Sequence, residues 1–288
     1  MRQLDKKKYK DKGINMKKIT TVFVLLSLFG FSNKITGQVF QNKDLTITKL
    51  ESNMWVMETS DKTTMYLIEG TQKALLIDTG TRIAKLDSII NIITKKPLEV
   101  VITHAHGDHA GNISFFNEIW MHPADTVLLN RRYKGKLNFV KDGFVFDLGG
   151  TQIEVSHMPA HTPGSIVLLD RKAGNCYSGD AFGSNHVWLQ LKPLSPMQTY
   201  VNSCLKMEQL IDNGITKIYC GHYPYVKKAF DKSYITTMRQ LAEGLINGTG
   251  PEAQPYSNKV GCPNPMAVTS GEATIVFDPD YIKQIKNK

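Results

Sequence analysis

Apolar positions along this chain fall into short β-branched runs, and several runs end abruptly in polar residues. Leu98-Glu-Val-Val-Ile-Thr103 reads as a strand, and Ala110-Gly-Asn-Ile-Ser-Phe-Phe116 beyond it reads as the start of a helix. Residues 151–156, 175–179 and 217–221 have the same apolar, strand-like character. Helical spacing occupies residues 82–94, 197–213 and 234–247, and Ala273-Thr-Ile-Val-Phe277 reads as a closing strand. Strands alternating with helices, with no linker or internal repeat, predict a mixed α/β fold.

The N-terminus follows a different pattern. Lys17-Lys18 precedes a 13-residue apolar run, Ile19 to Phe31, which reads as a secretory signal peptide covering residues 1–37, with cleavage near Gly37-Gln38. A bilayer span needs ~20 residues, so no permanent membrane anchor is expected, and the absence of a nearby cysteine argues against a lipoprotein. Residues 1–15 form a polar extension with five lysines, so Met16 is a candidate start. Export to the periplasm or the extracellular space follows as an expectation.

Charge then changes meaning. The whole chain carries a formal +9, but residues 1–37 hold nine Lys/Arg and two Asp/Glu, leaving 26 basic against 24 acidic residues. That balance gives no electrostatic footprint for nucleic acid. Residues 38–288 are enough for a single well-cored domain. Cys176, Cys204, Cys220 and Cys262 allow three complete pairings, and none is assigned.

The chemistry concentrates where the strands end. His104-Ala-His106-Gly-Asp108-His109 places three of the eight histidines within six positions, directly after the strand at 98–103. Residues two apart in extended chain point the same way, so His104 and His106 can grip one metal ion. Gly107 lets the chain turn, bringing Asp108 and His109 toward another. Further ligands have to come from elsewhere, and His161, Asp180 and His222 each lie just past a later strand. Loops at one end of a rigid sheet can converge on one cleft. Imidazole and carboxylate suit zinc, with manganese and iron also possible.

The ordered series His-x-His-x-Asp-His, His161-Thr-Pro-Gly, Ser-Gly-Asp180 and Gly-His222 resembles the metallo-β-lactamase superfamily over most of residues 45–280. The resemblance implies an αβ/βα sandwich of two mixed sheets flanked by helices. It implies that His104, His106 and His161 hold one metal, that Asp108, His109 and His222 hold the second, and that Asp180 bridges them. Residues 65–69 and 74–80 look like the family's early antiparallel strands. Asp78, in their Asp-Thr-Gly turn, serves either as a cap for the following helix or as an orienting partner for a ligand histidine.

Two divalent ions suit hydrolysis, because a water bridging them ionises near neutral pH and becomes the nucleophile. Asp108 can orient that water or carry its proton. True metallo-β-lactamases replace the bridging aspartate, so Asp180 makes the chain look more like the superfamily's thioesterases of the glyoxalase II type, lactonases and phosphodiesterases. A small-molecule ester, lactone or thioester is the first expectation and a phosphodiester the second. Mononuclear-iron persulfide dioxygenases, which keep a similar series, form the alternative class. His186, Trp188 and Tyr223 are candidate substrate contacts because they neighbour ligands. Arg131-Arg-Tyr-Lys134 reads as solvated surface, His122 and His157 as structural, and residues 248–271 as a Pro/Gly-rich loop that either caps the cleft or crosses the surface.

Overall fold

A computed structural model describes residues 37–286; the expected signal peptide lies outside the described residues apart from Gly37. The first sheet runs in sequence order, β1 (Gly37–Gln41), β2 (Leu45–Glu51), β3 (Met54–Thr59), β4 (Thr64–Glu69), β5 (Ala74–Ile77), β6 (Leu98–Val101), β7 (Glu118–Met121) and β8 (Lys136–Phe139). Its strands pair antiparallel as far as β5 and parallel from β5 to β8. The second sheet contains β9 (Val145–Asp147), β10 (Gln152–His157), β11 (Ile166–Asp170), β12 (Asn175–Gly179) and, parallel to β12, β14 (Lys217–Cys220). Both are mixed sheets, as expected. A third, four-stranded sheet was not anticipated: β13 (His186–Trp188), β15 (Gln254–Pro255), β16 (Met266–Ser270) and β17 (Ala273–Phe277).

Alternation along the strands explains the layering. In β4, Met65 and Leu67 face a core shared with Ile83, Leu86 and Ile90 of the α1 (Leu86–Ile93) region. Tyr66 and Ile68 face the opposite way, onto Phe146, Val155, Leu168 and Tyr177 of the second sheet. On β11, Val167 and Leu169 turn outward to a third core beneath α2 (Met197–Asp212) and α4 (Lys232–Asn247). Strands covered on both faces bury nearly every position, which is why the middles of β4, β5 and β11 are continuous apolar runs. The result is helix, sheet, sheet, helix.

Three expected helical segments differ. Residues 82–94 form a helix only from Leu86, because Arg82 and Lys85 take left-handed backbone angles (φ 57° and 56°) and the Ile83 amide donates to Asn112 Oδ1. Residues 110–116 give a single tight turn, Ile113–Phe115, not a helix start. There the Asn112 side-chain amide donates to the Thr79 carbonyl at 2.8 Å, so the segment is committed to bracing a neighbouring loop. Helix α4 starts two residues early because Asp231 caps it, accepting from the Ser233 and Tyr234 amides. All four cysteines are free and buried. No helix among the described residues is long and apolar enough to cross a membrane.

Candidate metal centre

Four strand ends deliver the cluster. The loop after β6 carries His104, His106, Asp108 and His109, the β10–β11 loop carries His161, the end of β12 carries Asp180, and the end of β14 carries His222. The side chains form two groups, His104 with His106 and His161, and Asp108 with His109, Asp180 and His222, each with its ligand atoms within 4.8 Å of one another. Asp180 faces both groups: Oδ2 lies 3.8 Å from His161 Nε2 and 3.3 Å from His222 Nε2, and Oδ1 lies 3.5 Å from His109 Nε2. Asp108 Oδ2 is 3.4 Å from His222 Nε2.

Hydrogen bonds behind the cluster set the tautomers. His161 Nδ1 donates to the Trp188 carbonyl at 2.9 Å and His222 Nδ1 to the Lys62 carbonyl at 3.1 Å. A carbonyl only accepts, so in the neutral rings both Nε2 lone pairs point inward. His109 Nδ1 donates to Asp78 Oδ2 at 2.9 Å. Thr103 gives its hydroxyl proton to the same carboxylate and therefore accepts from His104 Nδ1. Asp78 thus orients His109 directly and His104 through Thr103, while its Oδ1 accepts the Thr103 amide at 2.7 Å. The capping alternative for Asp78 fails, since helix α1 begins eight residues later.

These orientations fit a cation. His104 Nε2 and His161 Nε2 lie 3.3 Å apart and His106 Nδ1 lies 3.0 Å from His161 Nε2, so three ring nitrogens converge on one point, as they do around a cation. His109 Nε2 and Asp180 Oδ1 are buried without a hydrogen-bond partner. Burial, with His109 and His161 nearby, holds His104 well below the ordinary imidazole range; burial and then His106 hold His161 at about 4. The acidic group shows the opposite demand. Despite burial, Asp180 and Asp108 raise the proton affinity of His109 and bring His222 up to about 10. Burial disfavours an ionised Asp108, yet His109 and His222 hold it at about 2. Divalent ions satisfy both halves at once.

Close glycine packing makes the convergence possible. A Cβ on Gly221 would lie 2.4 Å from Asp180 Oδ1 and 2.6 Å from His109 Cε1, so the end of β14 reaches the cluster only without a side chain. One residue that sequence reasoning missed is Asp125, which is fully buried. It accepts from the Ala105 amide at 3.0 Å, the Thr162 hydroxyl at 2.8 Å and the Gly164 amide at 2.6 Å, tying the first histidine loop to the His161 loop. Its only signal was a polar Pro-x-Asp following strand β7, at the sheet end that carries the ligands.

Above the cluster lies a cavity of about 830 Å³. His106, Asp108, His161, Asp180 and His222 contribute its polar side, and Leu128, Trp188, Leu191, Tyr225, Tyr256 and Val260 its apolar wall. His186 and Trp188 line it as expected, whereas Tyr223 does not. Tyr223 packs toward Tyr219, and Tyr225, 64% exposed, faces the cavity in its place. The short α3 (Tyr223–Val226) turns the two rings to different sides. Residues 248–271 supply wall rather than plain surface crossing. Arg131, Arg132 and Lys134 are exposed and outside the cavity lining. His122 and His157 stack on each other at 3.9 Å.

The family model described as the metallo-beta-lactamase superfamily matches residues 59–222. The chain belongs to that superfamily. Among its relatives, the acyl-coenzyme A thioesterase MBLAC2 of Gallus gallus is 29% identical over 208 residues, covering 58% of this chain and 74% of that protein. The Homo sapiens thioesterase of the same name is 26% identical over 258 residues, covering 69% and 91%. The structure of a metallo-beta-lactamase from Pontibacter korlensis superposes with a TM-score of 0.57 at 19% identity, covering 69% of this chain and 99% of that one; it shares the fold. Within the superfamily this chain is a metal-dependent hydrolase whose relatives include thioesterases rather than lactamases alone.

Proposed function

We propose that this hydrolase is an exported, dinuclear, zinc-type enzyme that cleaves small-molecule acyl thioesters. The observation that carries the reading is Asp180, whose two oxygens face both ligand groups at the floor of a cavity with an apolar wall. His104, His106 and His161 would hold one ion, Asp108, His109 and His222 the other, and Asp180 both. When bound, the ions supply Lewis acidity that polarises the scissile carbonyl and lowers the pKa of an attacking water from ~15.7 toward ~7. Asp108 stays ionised at the cavity edge, with its side chain 39% exposed, and can take the proton from that water. Leu128, Trp188, Leu191 and Tyr256 exclude solvent and accommodate an apolar acyl group.

The thioesterase names of the relatives favour a thioester over an ester or lactone. A phosphodiester is less well served, because Lys192 is the sole lysine or arginine among the lining residues. The second ligand group, Asp108 with His109, Asp180 and His222, offers donors for a second ion, and metal stoichiometry separates that reading from the single iron of a persulfide dioxygenase. Export rests on the charged and apolar pattern of residues 17–31.

The test is elemental analysis of protein purified without added metal, paired with thiol release from acyl-coenzyme A and a screen of ester, lactone and phosphodiester hydrolysis. Near two zinc per chain, with chelator-sensitive thiol release restored by zinc, is expected. One iron with oxygen consumption and no hydrolysis would overturn the reading. Asp180→Asn should lose metal and about 100-fold or more in turnover; two retained ions with full turnover would sink the bridging role.

A further inference from the structure

The β3–β4 turn is built around an unusual backbone. Thr59 and Thr63 close it, with the Thr59 amide donating to the Thr63 carbonyl at 2.9 Å and the Thr59 hydroxyl to the Asp61 carboxylate, and the Lys62 amide donates to the Thr59 carbonyl at 3.0 Å. Lys62 sits in the left-handed region at φ 73°, a conformation that side-chain-bearing residues adopt uncommonly. Its side chain is exposed. The outcome of the strained conformation is the direction of its carbonyl, which accepts from His222 Nδ1 at 3.1 Å across 160 positions of sequence.

The turn grips the same loop at two more points. The Thr64 amide donates to the Gly221 carbonyl at 2.7 Å, and the Tyr223 amide donates to Thr64 Oγ1 at 3.0 Å. These bonds flank His222 on both sides and fix where its backbone lies, while the Lys62 carbonyl holds the Nδ1 edge of the ring and keeps a proton on that nitrogen. Thr59 also packs so closely on Gly80 that a Cβ there would come within 3.0 Å of its methyl group. Gly80 ends the turn that carries Asp78, the partner of His109. One hairpin end therefore braces both imidazoles of the acidic ligand group.

We infer that Lys62 is a positioning residue for the second metal ion, acting through its left-handed backbone and not through its ammonium group. Strain held at such a point persists where the surroundings require it. With its carbonyl in place, His222 keeps the Nδ1–H tautomer and presents the Nε2 lone pair to the acidic group; with the carbonyl turned away, the ring is free to rotate or to present N–H instead. The inference rests on the dinuclear reading.

The test compares three variants by zinc stoichiometry and chelator competition, with thermal unfolding as the control for folding. Lys62→Gly and Lys62→Asn both accept left-handed angles, so both should bind two zinc ions within about 3-fold of wild-type affinity. Lys62→Val, β-branched and strongly averse to that region, should weaken the second zinc about 10- to 100-fold and leave the first unchanged. Unchanged affinity for both ions in Lys62→Val would overturn the inference, as would equal weakening of both, or a loss in Lys62→Gly as large as in Lys62→Val. Wild-type protein that holds a single ion would overturn the dinuclear reading and this inference together; where wild-type protein holds two ions, an adverse result in the variants counts against the role of Lys62 alone.

Discussion

Asp78→Asn isolates the orienting role of a residue that touches no metal. Asparagine preserves shape and tolerates the left-handed backbone Asp78 occupies (φ 64°), so the turn should survive. The full set of hydrogen bonds cannot. Asp78 Oδ1 accepts the Thr103 amide at 2.7 Å, and Oδ2 accepts the Thr103 hydroxyl at 2.8 Å and His109 Nδ1 at 2.9 Å. An amide NH₂ in the first position meets an N–H. In the second it meets two donors, and His109 can answer only by moving its proton to Nε2, which removes the lone pair aimed at the acidic group. Each charge-assisted bond lost costs about 1.5–3 kcal/mol, which corresponds to a melting point lower by roughly 3–12 °C for a domain of this size. Under the proposed dinuclear reading, metal affinity should fall about 10- to 100-fold, or ~1.4–2.7 kcal/mol, with the loss concentrated in the ion that His109 would hold. Chelator competition monitored for each zinc, beside calorimetric unfolding of metal-free protein, reads both numbers. Wild-type affinity for both ions in a correctly folded variant would refute the orienting role.

Gly221→Ala adds a methyl group 2.4 Å from Asp180 Oδ1 and 2.6 Å from His109 Cε1, so it should reduce bound metal and turnover together while costing about 1–3 kcal/mol of stability; elemental analysis showing full metal content would argue against the close convergence of the strand ends. His122 provides a pH test away from the ligands. Burial, followed by the stacked His157, lowers its pKa to about 4, so the folded state binds fewer protons than the unfolded chain with its pKa near ~6.5. The resulting stability is complete above pH ~6.5 and is lost as pH falls toward about 4; after discounting for solvent screening it amounts to ~1 kcal/mol. His122→Asn keeps a side-chain acceptor for the Ala124 amide and should flatten urea-unfolding stability across that window; an unchanged slope would show that His122 does not contribute.

The candidate ligand set was legible in the chain because it depends on side-chain type and local position. A strand-like run places its end at one edge of a sheet, and His104, His106, Asp108, His109, His161, Asp180 and His222 each follow such a run. Strands β4 and β5 were visible as apolar runs because a strand covered on both faces is mostly apolar, whereas β11, equally covered, was not read from the chain. What the tertiary structure decided depends on contacts between distant segments or on backbone atoms that every residue possesses. The Lys62 carbonyl reaches His222 only because the β3–β4 turn meets the end of β14. Asp125 joins two loops whose proximity no local spacing encodes. The exchange of Tyr223 for Tyr225 in the cavity follows from how one short helical turn faces its neighbours. The helix expected at residues 110–116 yielded because the Asn112 amide is bound to the Thr79 loop. Sequence by itself determined which groups can bind a cation and which end of the sheets presents them; folding alone decided which way each imidazole points, because that direction is set by hydrogen bonds to atoms far away in the chain.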